Sequence, residues 1–161
     1  MTKLLLSIHV LASILVVGPI AVAASMFPRY ARLAAGEEGR FVGATALLHR
    51  ICSGYAVVGV AVPVFGIATG AQLGVLTDAW LITSIVLTTI AAALLALAIL
   101  PGQQGMIEAA TATADGTRAA GDGADTKRAA ARLAGLTGVF NLLWAIVVVL
   151  MIVRPGSTTS A

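Results

Sequence analysis

Two histidines lie in stretches where charge is otherwise scarce. His9 sits in an apolar run near the amino terminus, and His49-Arg50 opens a second such run. An imidazole offers a ring nitrogen to haem iron or to a transition metal, and an ionisable group at membrane depth is a functional candidate by default. Ser13 follows His9 by one helical turn and shares its face. Arg50 suits a haem propionate or an anionic lipid headgroup. In the last apolar run Asn141 and Trp144, three residues apart, each bring a hydrogen-bonding group to one helix face, for use in bundle packing or in a pocket.

What is missing narrows the chemistry. No Ser/His/Asp arrangement and no His-x-x-x-His metal motif occurs, so no catalytic residue is assigned. Cys52 is the only cysteine, which leaves no internal disulfide, no paired-cysteine metal site and no Cys-x-x-Cys-His haem attachment. The seven acidic residues, Glu37, Glu38, Asp78, Glu108, Asp115, Asp122 and Asp125, all fall outside the apolar runs. A coupled exchanger generally needs an intramembrane carboxylate, so that class is disfavoured. On straight helices the two histidines stand about 18 Å apart along the bundle, whereas two ligands of one metal need nitrogens only about 4 Å apart. His9 and His49 are therefore not expected to share one iron within a chain.

The elements that must position these groups follow from composition. Of 161 residues 59% are hydrophobic and 11% charged, with a mean hydropathy of +1.00. A soluble domain carries roughly 25% charged residues, so the expected solvent is a bilayer. Four stretches of the roughly 20 residues needed to span one are read at about 4–26, 44–69, 79–100 and 133–153. Pro101-Gly102 reads as a stop for the third and Arg154-Pro155 for the fourth. The expectation is an all-α, four-helix transmembrane bundle forming a single domain. Residues 101–132 would form its long connection, bent near Gly121-Asp122-Gly123, and 156–161 a flexible tail. Asp125-Thr126 reads as the N-cap of a cytoplasmic extension of the fourth helix.

Charge sets the expected orientation. Eight of the ten basic residues, Arg29, Arg32, Arg40, Arg50, Arg118, Lys127, Arg128 and Arg132, fall on the side of the first and third connections, leaving Lys3 and Arg154 opposite. The positive-inside rule makes the basic side cytoplasmic and both termini external. Phe27 and Tyr30 would then mark the inner interface and Trp80 the outer one. A rival reading treats the first run as a signal peptide cut after Ala21-Val22-Ala23, but it would put those eight basic residues on the wrong face.

Inside the bilayer, small and polar residues are the useful packing signals. Gly54, Gly59, Gly66 and Gly70 are expected to admit a neighbouring helix, and Pro63 to kink their own. Thr83, Ser84, Thr88 and Thr89, with Gly135 and Gly138, are expected to face the bundle.

The stretch Ile8-His9-Val10-Leu11-Ala12-Ser13-Ile14-Leu15-Val16-Val17-Gly18, followed by Arg29 and Arg32, resembles the opening of a bacterial membrane family known as domain of unknown function 2269. The likeness covers the four-span layout and implies no assigned activity. A wider resemblance is to the copper resistance D domain and to membrane protoporphyrinogen oxidase. It implies haem b at a first-helix histidine, and His9 alone matches; Val16-Val17 replaces the usual aromatic before the glycine. The leading expectation is a multi-pass plasma-membrane protein of structural or accessory role. The alternatives are a haem-binding redox protein using His9 and a small-molecule channel or carrier. The bilayer, a second copy or another membrane protein are the expected partners; nucleic acid is not.

Overall fold

The computed structural model describes residues 2–36, 41–117 and 123–156, and within them the chain is helical without strands. Its elements are α1 (Thr2–Gly36), α2 (Val42–Gly59), α3 (Ala61–Leu73), α4 (Ala79–Leu94), a π-helical turn (Leu95–Ile99), α5 (Leu100–Ala114) and α6 (Gly123–Val153). They make four rods, Thr2–Ala35, Val42–Leu73, Ala79–Ala114 and Gly123–Val153, each long and apolar enough to cross a membrane. The exterior agrees with that solvent: Leu97 is 78% exposed, Val57 75% and Ile152 75%. Water would not tolerate such a continuous apolar surface.

Helix α1 is central, packing on α2, α3 and α6, while α4 packs on α6 and α2 on α5. Successive rods run antiparallel. One end of the bundle gathers residue 2, the 74–78 turn and residue 153; the other gathers residues 35, 42, 114 and 123. The core fills the connection end, where Phe27, Cys52, Ile99 and Phe140 are almost wholly buried in one cluster. Towards the terminal end α3 and α4 have little contact beyond the region of their joining turn. That turn is a Schellman-type cap: Gly74 takes φ +71°, donating to Ala71, while Val75 N–H returns to the Gly70 carbonyl.

Several expectations need correction. Pro101 does not stop the third rod. The π turn before it absorbs the missing donor, and Pro101 falls in the first turn of α5, where no N–H is required. Residues 101–114, expected as part of the connection, are therefore helical, while the expected extension of the fourth helix is present and begins at Gly123. Gly102 serves packing, since a Cβ there would lie 2.9 Å from Leu133 Cδ2 on α6. Gly102→Val should thus push α5 from α6 and cost about 1–3 kcal/mol, read as a lower midpoint in thermal unfolding of the detergent-solubilised protein; an unchanged midpoint would refute the contact. Helix α1 also runs on through Pro19 and Pro28 to Gly36. The second rod breaks at Val60, close before Pro63, as the missing proline donor requires.

Asp125 is not a cap but lies in the first turn of α6, 3.9 Å from Arg128 in an exposed pair. Phe27 is core rather than interfacial. Tyr30 stacks edge-on to Phe41 at 6.0 Å, and Trp80 is buried beneath Val75 and Leu81. The Gly121-Asp122-Gly123 bend lies largely outside the described residues, as do Glu37, Glu38, Arg40, Arg118 and the tail from 157.

Candidate functional site

The loose terminal half of the bundle encloses a cavity of about 930 Å³, within the roughly 300–1,000 Å³ of small-molecule sites. Its walls come from all four rods: His9 and Ser13 of α1, Val62 and Gly66 of α3, Ser84, Thr88 and Thr89 of α4, and Trp144 and Met151 of α6, with Arg154 just beyond. Val10, Ile14, Val148 and Ile152 also line it and are exposed. The cavity therefore opens sideways through the apolar surface.

His9 is held rigidly. Its Nδ1 lies 2.9 Å from the Val62 carbonyl oxygen, and because a carbonyl only accepts, Nδ1 carries the proton. In the neutral ring Nε2 would then be the acceptor nitrogen. Gly66 makes room for this ring, since a Cβ there would lie 2.9 Å from His9 Cε1 and 3.2 Å from Nδ1. Three of the lining hydroxyls are spent locally: Ser13 donates to the His9 carbonyl at 2.8 Å, Ser84 to the Trp80 carbonyl at 2.8 Å and Thr89 to the Ile85 carbonyl at 2.8 Å. Back-bonding of this kind satisfies a hydroxyl inside its own helix. Trp144 differs. Its Nε1 is buried and has no hydrogen-bond partner, although its ring packs edge-on against Phe140 at 6.3 Å.

Asn141 is drawn away from the cavity. Its Nδ2 donates to Ser25 Oγ at 3.2 Å, joining α6 to α1, while its Oδ1 is buried without a partner. Asn141 and Trp144 thus share a helix but serve different surroundings.

His49 belongs to the other half of the bundle. Its Nδ1 lies 3.1 Å from Gln103 Oε1, and Gln103 Nε2 reaches Cys52 Sγ at 3.7 Å, itself 4.0 Å from the Ile20 carbonyl oxygen. Cys52 thus packs level with Ile20, eleven residues along α1 from His9, which separates the two imidazoles by roughly 20 Å along the bundle. They do not converge on one metal, and among the described residues no group of three or more His, Cys, Asp or Glu could hold one. Arg50, read as a propionate partner, is exposed beside His49 and does not line the cavity. The cation that shares a cavity with His9 is Arg154.

Sequence reasoning missed three participants. Gln103 is 1% exposed, yet the local stop signal of Pro101 makes it read as a loop residue. Gly66, expected to admit a neighbouring helix, does so for α1, but its role as the seat of the His9 imidazole has no sequence signal. Arg154 was read only as a stop and a topology charge.

The fold defines an α-helical bundle compatible with a multi-pass membrane protein, with a laterally open cavity in one half. No protein-family model, curated protein or solved structure matches the chain.

Proposed function

We propose that the protein is an accessory component of the bacterial plasma membrane that holds a lipid-soluble small molecule in its terminal-half cavity. Its orientation puts the basic connections in the cytoplasm and the termini outside. One observation carries the reading: a roughly ligand-sized cavity with apolar walls opens to the membrane side and presents a fixed imidazole. Transport is less well supported, because the other half of the bundle is filled by Phe27, Ile99, Gln103 and Phe140. A cavity-filling Thr88→Phe substitution tests the proposal. Wild type should retain a lipid-soluble molecule through detergent exchange and organic extraction, and the variant should lose it; equal retention by both would end the proposal.

A second reading is haem binding, and the hydrogen bond of His9 to the Val62 carbonyl favours it. Metal-ligating imidazoles commonly donate one ring N–H to a carbonyl and bind through the other nitrogen, the arrangement His9 makes with Val62. The residues present fit: His9 Nε2 would hold the iron and Arg154 a propionate. Bound haem would supply one-electron chemistry. Protein expressed with added haem should then show a Soret band that shifts on reduction, vanishes in His9→Ala and survives Arg50→Gln. Absence of the band in wild type would dismiss haem. Membership of the family known as domain of unknown function 2269 belongs to the same proposal.

A further inference from the structure

Arg154 is held in an unusual way. It is the only non-glycine residue at positive φ among the described residues, at +44°, a conformation that costs a non-glycine residue of order 1 kcal/mol or more. This left-handed step ends α6 and swings the side chain across to α4, where the guanidinium carbon lies 5.7 Å from the centroid of the Trp80 ring. Nε donates to the Met151 carbonyl at 3.3 Å. Trp80 is fixed in turn, its Nε1 donating to Asp78 Oδ2 at 3.0 Å. The nearby carboxylate is therefore engaged with the indole, and among the described residues the one ion pair is Arg128–Asp125. Arg154 lines the cavity with its two terminal nitrogens free of any carboxylate partner among those residues.

The depth of the cavity specifies the rest of the ligand. Along α6 its lining runs from Trp144 to Arg154, ten residues, or about 15 Å of helix. That is half of the roughly 30 Å hydrocarbon core of a bilayer. At one end stands a cation, and at the other lies the side chain of Trp144. Between them lie Ile85, Val147 and Val148, and the opening between exposed side chains of α1 and α6 admits a molecule from the side.

We propose that this cavity binds an anionic acyl-chain lipid from one leaflet, its phosphate gripped by the terminal guanidinium nitrogens of Arg154 and its chain lying down the cavity towards Trp144. The assignment rests on the ligand-binding reading above and names the ligand class. The guanidinium presents paired donors to phosphate oxygens, while the apolar walls accept a chain but no second charge. A zwitterionic lipid would bring its own cation beside Arg154 and lose most of the benefit.

Calorimetric titration of the detergent-purified full chain with lysophosphatidylglycerol and lysophosphatidylcholine of equal chain length tests this. Wild type should bind the anionic lipid about tenfold or more tightly than the zwitterionic one, as expected for charge-assisted bonds to phosphate. Arg154→Gln should remove the preference with little change for lysophosphatidylcholine, Arg154→Lys should restore part of it, and Thr88→Phe should weaken both lipids. A preference that survives Arg154→Gln, or displacement of the lipid by inorganic phosphate alone at matched concentration, would overturn the headgroup assignment. Binding of both lipids that is unaffected by Thr88→Phe would instead defeat the cavity reading itself.

Discussion

Gly66→Leu should yield a folded bundle that no longer retains its ligand. The Cβ alone would lie 2.9 Å from His9 Cε1, so a larger side chain must lift the imidazole off the Val62 carbonyl and enter the cavity. Overpacking of this kind costs about 1–3 kcal/mol, but the effect on binding is larger, because the pinned imidazole and the open volume are lost together. Gly54→Leu is the matched control: nothing lies within 4 Å of a Cβ there, and both stability and retention should stay near wild type. The comparison is read by ligand retention after detergent exchange and by thermal unfolding. Retention by Gly66→Leu at the wild-type level would show that the imidazole seat is irrelevant to binding.

The largest loss of stability is expected from Phe27→Ala. Phe27 is 0% exposed and packs in one cluster with Ala23, Ala24, Ile99 and Phe140. Truncating a buried Phe costs about 3–5 kcal/mol in soluble cores. Here the reference solvent is as apolar as the core, so the transfer contribution shrinks and lost packing contacts dominate. A value near the lower end, about 3 kcal/mol, is expected in reversible unfolding by denaturing detergent. Leu97→Ala, on the 78% exposed lipid-facing side, should change stability by less than about 0.5 kcal/mol. Equal effects at the two positions would mean that Phe27 is not a core residue.

The fold was legible because lipid enforces it. Backbone groups in a bilayer must pair within a helix, so apolar length alone revealed four rods. Their ends were less legible, because Pro101 reads locally as a stop while a π turn, invisible to hydropathy, carries the rod past it. For the same reason Gln103 reads as a loop residue, although it bridges His49 and Cys52 in the core.

Of the candidate site, His9 and Ser13 were found from type and spacing, and Trp144 from its polar atom in an apolar helix. All three line the cavity. Arg154 escaped because its role depends on a positive φ and on the distant Trp80, neither of which has a local sequence signal. Arg50 stood out only because it adjoins a histidine, and the helices carry it to the opposite half. The glycines show the same limit: Gly59, Gly66 and Gly70 do meet neighbouring side chains, while Gly54, Gly135 and Gly138 have open space before them. A spacing pattern identifies small residues but not the side of the helix that a partner occupies.

The most direct test of the cavity uses its own tryptophan. The chain has two, so Trp80→Phe leaves Trp144 as the sole indole, and its fluorescence can be followed in vesicles of lipid brominated along the acyl chains. If the cavity opens to lipid as described, bromine should quench Trp144 strongly, and adding Thr88→Phe to fill the cavity should relieve most of that quenching. Equal quenching with and without Thr88→Phe would contradict the account, because the indole would then be meeting lipid by some route other than the cavity.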